Sequence, residues 1–167
     1  NGLKFLGAHT GQDVPGEDNW DETMQWWDNC IAAHKAAGVK WIVQPWMGST
    51  GYESLDGLKR YCEYFNAVGE KCNAAGIRFG YHNHDKEFQP AGEGDKTWWD
   101  LLAERTRDDV VLQMDIGWVA HAGRDPVAYL KKYPGRTRTA HFKAYVARGD
   151  KGKQPFVGED SIPWKNV

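Results

Sequence analysis

The feature that most constrains the fold of this chain is an internal echo. Ala36-Ala37-Gly38-Val39-Lys40 recurs as Ala74-Ala75-Gly76-Ile77-Arg78, a shift of 38 residues, at points where a helix-periodic stretch gives way to a β-type run. A period of that length is the size of one strand-helix unit. Leu3 to His9 reads as a strand followed by a Gly/Asp-rich loop. Asp18 or Asn19 then caps a helix in which Met24, Trp27, Ile31 and His34 recur at helical spacing until Gly38. Val39 to Trp46 is a second strand, which Pro45 ends because it has no N–H for a ladder bond. A helix over 54–75 carries Leu58, Tyr61, Cys62, Phe65, Val68 and Cys72 as its apolar stripe and closes at Gly76. The third strand runs into His82 and His84, and a helix over 97–106 follows. The fourth strand, Val110 to Asp115, is continuously apolar, as in a sheet covered on both faces. Asp125-Pro126 starts the next helix with cap and proline in the favoured order; it ends near Tyr133-Pro134-Gly135. Thr137 to Lys143 is the fifth strand, and 145–163 reads as a long polar loop before Trp164.

Five strands alternating with four helices predict a parallel sheet with right-handed crossovers. A closed eight-stranded barrel takes about 250 residues, and this chain has 167. It is therefore either an open sheet or the central part of a barrel whose outer strands lie outside the sequence. In the second case its first and last strands present raw edges, and the native gene product is expected to be longer.

Composition narrows the function classes. A net charge of −2 offers no general attraction to nucleic acid or an anionic membrane, so the expected partner is small. Cys30, Cys62 and Cys72 lack CxxC spacing and fall in helical segments, which favours packing over a disulfide framework or zinc ribbon. No apolar run approaches the roughly 18 residues of a membrane span and no basic-then-apolar leader opens the chain; the expected location is cytoplasmic, although a leader could have been removed. Most of the nine tryptophans, such as Trp26, Trp27, Trp98 and Trp99, read as packing. Trp46 and Trp118 each fall just past a strand end, where an aromatic can wall a pocket or stack on a sugar.

In parallel α/β folds ligands bind at the carboxyl ends of the strands. Those ends carry His9, Gln44 with Trp46, His82 with His84, Asp115, and His141 with Lys143. In a strand, residues two apart share a face, so His82 and His84 point together and Asn83 points opposite. Imidazoles with one carboxylate suit zinc, manganese, iron or cobalt better than calcium. An ion so held acts as a Lewis acid on a carbonyl or hydroxyl oxygen while Lys143 or Glu87 handles the neighbouring proton. The competing reading of Lys143 is an ion pair with Asp115 or a loop carboxylate; His34 and His121 read as surface or packing residues.

Three segments carry a family resemblance: Gly-Ile-Arg-Phe-Gly-Tyr-His-Asn-His-Asp-Lys-Glu-Phe at 76–88, Met-Asp-Ile-Gly-Trp-Val-Ala-His-Ala-Gly-Arg-Asp-Pro at 114–126 and Ala-His-Phe-Lys at 140–143. In this order they resemble sugar phosphate isomerases/epimerases of the xylose isomerase-like TIM-barrel superfamily. The resemblance spans nearly the whole chain and implies one α/β domain, 1–167, a partial (β/α)₈ barrel supplying about five central units and incomplete at both ends. It implies one divalent metal at the strand ends, bound by residues of the fifth to eighth strands. Asp115 and His141 match the sixth- and seventh-strand ligands, and His9 matches a histidine that relatives often carry on the third.

Two departures stand out. His82 occupies the place of a glutamate that many relatives use as both ligand and base, and Trp118 stands where the DNA-repair branch has a second histidine. The eighth-strand glutamate would lie beyond Val167; Glu159, in Gly158-Glu159-Asp160, is similar to a segment after the seventh strand and could reach the pocket. The expected metal ligands are thus His82, His84, Asp115 and His141. Lys143, Glu87 and His84 are candidates for proton transfer, and His9, Trp46, Trp118 and Glu159 for substrate contact. The cofactor is one divalent ion among Mn, Zn, Co, Fe and Mg. The expected activity is isomerisation or epimerisation of a sugar or keto-sugar, by proton abstraction beside a carbonyl with a metal-stabilised enediolate. A 3-keto-glycoside lyase or hydrolase on the same metal, or a non-catalytic sugar-binding fragment, are the alternatives. A small carbohydrate, neither nucleic acid nor membrane, and a homo-oligomeric state complete the partner expectations. A His-Asn-His nuclease is disfavoured, because the three residues are consecutive here and the chain has no basic face.

Overall fold

A computed structural model describes residues 2–146 and 155–167. Five strands, β1 (Gly7–His9), β2 (Trp41–Gln44), β3 (Arg78–His82), β4 (Val111–Asp115) and β5 (Ala140–His141), pair in parallel in the order of the chain, β1-β2-β3-β4-β5. That order decides the architecture. A doubly wound sheet reverses direction part-way, whereas successive right-handed crossovers in one direction put every helix on one side and curl the sheet into a barrel. The five strands form a half-barrel.

The helices are α1 (Trp20–Ala36), α2 (Thr50–Glu53), α3 (Leu55–Ala74), α4 (Trp98–Arg105), α5 (Ile116–His121) and α6 (Pro126–Lys132), with a 3-10 turn at Lys86–Phe88. Their stripes meet one face of the sheet. Met24, Trp27 and Ile31 of α1 and Leu58, Phe65, Val68 and Cys72 of α3 are buried in one cluster with Ile42, Phe79, Tyr81, Leu112 and Met114. The aromatic rings interlock: Phe65 stacks on Tyr81 at 5.3 Å, and Trp27 meets Phe79 edge-on at 5.6 Å while donating its indole N–H to Tyr64 Oη at 2.7 Å. Burying these rings supplies the main drive to fold. The cysteines are free and lie on α1 and α3.

Strand alternation sends Gly7 and His9, Trp41 and Val43, Gly80 and His82, Val111, Gln113 and Asp115, and Thr139 and His141 to the opposite, concave face. Here the chain departs from two sequence expectations. The first strand does not start at Leu3 but at Gly7, and the last covers two residues; Leu3, Phe5, Leu6 and Phe142 are exposed. Each of these strands has a ladder partner on one side only, so hydrogen bonding does not propagate along it. The unpredicted α5 begins directly at the end of β4, because the Asp115 side chain caps it with no intervening loop. Of the stretch read as a loop, 145–163, residues 147–154 lie outside the described residues. Among the described residues no helix is long and apolar enough to cross a membrane.

Candidate metal centre

At the carboxyl ends of β3, β4 and β5, donor atoms of His82, Asp115 and His141 lie within 4.8 Å of one another. Parallel pairing produces this cluster. Asp115 and His141 are direct register partners, while His82 pairs with Gln113, two residues before Asp115 on the same face. Asn83, on the opposite face, locks the arrangement: its Oδ1 accepts from Asp115 N at 2.8 Å and its Nδ2 donates to Asp115 O at 3.2 Å. The chain ends of β3 and β4 are thereby held at a set separation.

Asp115 is 0% exposed. Its Oδ1 accepts the Trp118 backbone N–H at 2.9 Å. Its Oδ2 stands 2.8 Å from His141 Nδ1 and 3.6 Å from His82 Nε2, yet accepts no aligned hydrogen bond from either. A buried carboxylate oxygen left so is costly unless a positive charge joins it. Burial pushes the Asp115 carboxyl up, against the lowering influence of the Trp118 N–H and of His141, Lys143 and His84. Two nitrogens and one oxygen facing a common point, all three lone-pair donors, form a set that fits a divalent transition ion with bonds of about 2.0–2.2 Å after small rotamer shifts.

His84 is half-buried beside this group, its ring 5.2 Å from that of His82 and 5.5 Å from Trp118, and it is not within the three-residue cluster. The chain leaves the strand after His82, so strict alternation no longer governs where His84 points. Lys143 does not pair with Asp115; its ammonium sits 3.9 Å above the Trp118 ring, a cation–π contact. Gly117 makes this approach possible, since a Cβ there would lie 2.5 Å from Lys143 O. Trp118, just past the end of β4 as expected, is thus a shelf on α5 between Lys143 and His84. His9 reaches the group from β1, its ring 5.0 Å from His82. His34 and His121 stay outside it: His34 bonds Cys30 O at 2.7 Å and His121 packs on Trp118 and Tyr145.

Three other sequence-stated residues are not brought to the cluster. Glu87 is 0% exposed, and its Oε1 accepts from Tyr52 Oη at 2.6 Å and from Tyr81 Oη, while its Oε2 accepts from His84 N at 2.9 Å. With both oxygens occupied and no solvent exposure, it anchors the segment carrying His84. Trp46 is exposed at the end of β2, hydrogen-bonded to Asp13 Oδ1 at 3.3 Å. Glu159 is exposed in a turn closed by Glu159 N to Phe156 O at 3.0 Å. Sequence reasoning missed Asn83 and Gln113 as site residues. The signal for Gln113 was present, as period 2 puts it on the inner face with Asp115.

A family model described as xylose isomerase-like TIM barrel matches residues 1–167. The chain belongs to the xylose isomerase-like TIM-barrel family. Solved members and neighbours extend the comparison. A sugar phosphate isomerase/epimerase from Parabacteroides distasonis is 31% identical with a TM-score of 0.78, over 93% of this chain and 57% of its own. A second from the same organism is 29% identical with a TM-score of 0.71, over 86% and 54%. D-psicose 3-epimerase from Clostridium cellulolyticum shares the fold at 12% identity with a TM-score of 0.69, over 99% and 59%. The chain therefore spans little more than half the length of these proteins. No match was found among curated proteins.

In this xylose isomerase-like site His82 responds to pH. Burial lowers its pKa from 6.5 to about 4, partly countered by the bond to Gln113 and reinforced by His9, His84 and His141. A histidine lowered on folding binds fewer protons than in the unfolded chain, so the stability of the metal-free protein falls as pH drops from about 6.5 toward about 4. The loss is at most about 3 kcal/mol, reduced by water at the mouth of the site. Asp115, raised on folding, takes up a proton in the opposite sense and offsets part of the loss at the acid end. Urea unfolding at pH 7, 5.5 and 4.5, with His82→Asn as control, should show the decline in the parent and a flatter profile in the variant.

Proposed function

We propose that this chain carries the metal-binding half of a divalent-metal-dependent isomerase or epimerase acting on a sugar or keto-sugar. The observation that carries the reading is the buried Asp115 Oδ2, which has no aligned hydrogen bond and faces His82 and His141. The similarity to the Parabacteroides sugar phosphate isomerase/epimerase supports the substrate class. In addition, a protein whose solved structure is described as IolI with a bound zinc atom has the same fold, at 15% identity and a TM-score of 0.66 over 98% of this chain and 61% of its own.

His82, Asp115 and His141 would hold the ion. An ion bound there would supply Lewis-acid stabilisation to a substrate oxygen that gathers negative charge. The chain's own groups handle substrate and proton. His84, whose ring nitrogens make no hydrogen bond to described residues, takes the proton from the carbon beside the carbonyl. The C–H electron pair moves into the new C=C bond as the carbonyl π pair moves to oxygen, giving an enediolate; His84 returns its proton to the other carbon while the hydroxyl proton passes between the two oxygens, giving the isomer, or a proton from a second acid on the opposite face gives the epimer. Lys143, parked on Trp118, places a positive charge beside that oxygen, and the Trp118 face excludes water. Glu87 holds the His84 backbone.

Incubating the intact protein with Mn²⁺ and a panel of free ketoses in deuterated water tests this. Deuterium should enter the carbon beside the carbonyl, with isomer or epimer formed, and His84→Gln should suppress exchange by about 10²-fold or more. Release of an aglycone or an unsaturated sugar without isomer would replace the reading with the lyase.

A further inference from the structure

Beneath the three donors lies a polar layer with no obvious use in a strand interior. Gln113, half-buried on the concave face of β4, turns its side-chain carbonyl to two imidazoles at once. Oε1 stands 2.9 Å from His82 Nδ1 and 2.7 Å from His9 Nε2, and the amide Nε2 donates to Thr139 Oγ1 at 2.9 Å. The contact runs across the sheet, from β1 to the residue just before β5.

A carbonyl oxygen only accepts, so both imidazole nitrogens that meet it must carry hydrogen. For His82 that places the proton on Nδ1 and leaves Nε2, the atom facing Asp115 Oδ2, as a bare lone pair. Asp115 supports this orientation of the amide: its Oδ2, 3.6 Å from His82 Nε2, accepts no hydrogen bond from it, as a nitrogen without hydrogen requires. The opposite orientation would aim the amide donors at the two imidazoles and put the His82 proton on Nε2, blocking that ring as a ligand. Buried metal ligands commonly have their second nitrogen fixed in this manner by a carboxylate, carbonyl or water. Here a glutamine on the neighbouring strand stands in that place.

We infer that Gln113 is a positioning residue that fixes His82 as the Nδ1–H tautomer, with Thr139 holding its amide in place and His9 sharing the same acceptor, so that His82 Nε2 is ready to bind a divalent ion. The inference rests on the metal reading above for its purpose, but the tautomer is measurable without metal. It also accounts for a residue type: leucine or valine at 113 would suit a barrel interior better than glutamine unless the carbonyl were used.

The test is a long-range ¹H–¹⁵N correlation spectrum of the histidine rings in the intact, metal-free protein at pH 7, with His82 assigned by its loss in His82→Asn. The parent should show His82 protonated at Nδ1 and bare at Nε2. Gln113→Leu should move it toward the Nε2–H form, while Gln113→Glu, which keeps an acceptor oxygen toward the two rings, should retain Nδ1–H. In a chelator competition with Zn²⁺, Gln113→Leu should weaken binding by about 10–100-fold and Gln113→Glu by much less. Thr139→Val supplies a second route should Gln113→Leu fail to fold: freeing the amide should yield a mixture of tautomers. A parent with His82 protonated at Nε2 overturns the inference, as does a tautomer unchanged in both Gln113→Leu and Thr139→Val. Absence of Zn²⁺ binding by a parent that shows the Nδ1–H form instead sinks the metal reading and leaves the tautomer assignment standing.

Discussion

Replacing Asp115 with asparagine should abolish tight divalent-metal binding by the intact protein, with a loss of about 10³-fold or more, against the roughly 10–100-fold typical of residues that only support a ligand. The reasoning is electrostatic. Asp115 is the single carboxylate of the cluster, and its Oδ2 is the oxygen that His82 and His141 face. An amide there is neutral, and if its NH₂ end faced inward it would point hydrogens at the ion. His141→Ala should remove a second donor, with a similar loss of metal binding. Isothermal titration with Mn²⁺ or Zn²⁺, alongside elemental analysis of the purified variants, measures it. Because Asp115 Oδ1 also caps α5, unfolding curves should be taken in parallel: asparagine is itself a good cap, so the fold should survive. Unchanged metal content in Asp115→Asn would remove the basis of the proposed function.

Glu87→Ala should destabilise the protein by about 3 kcal/mol or more. It strips the acceptor from the buried Tyr81 hydroxyl, the half-buried Tyr52 hydroxyl and the backbone N–H of His84; the hydroxyls lie 2.9 Å apart and one can still bond the other, which leaves two donors worth about 1–3 kcal/mol each when unpaired. The two tyrosine hydroxyls are themselves pushed well up by burial, with the Glu87 charge adding to the effect, so neither can ionise to compensate. Glu87→Gln keeps one acceptor oxygen and the volume, and should cost roughly half as much. The pair of variants also separates anchoring from proton transfer. An anchor shows its loss in urea unfolding and a modest fall in turnover; a base would show Glu87→Gln folded at parental stability but inactive.

The same residues show what was readable in advance. The strand-helix order was legible because apolar periodicity, caps and glycine stops are local, and the echo at 38–39 and 76–77 marks two equivalent helix-to-strand turns. Asp115 and His141 were legible as candidates because strand ends in a parallel sheet gather at one rim. The contacts of Glu87 were not legible, because no local pattern reveals that Tyr52, from a short helix 35 residues earlier, takes up its carboxylate. The helix α5 was hidden since its cap, Asp115, also ends a strand, and a residue with two roles reads as the stronger one.

The sequence by itself determined the class of elements, their parallel order and the set of residues able to bind a metal, since these depend on side-chain chemistry and spacing within short windows. Only the tertiary structure decided which of those residues meet. The register between β3, β4 and β5 brings His82, Asp115 and His141 together while leaving His84 to one side, Lys143 on Trp118 and Glu87 in the core. That selection is made by hydrogen-bond pairing between segments about 30 residues apart, such as the Asn83 clamp on Asp115, and contacts across such distances leave no periodic trace in the chain.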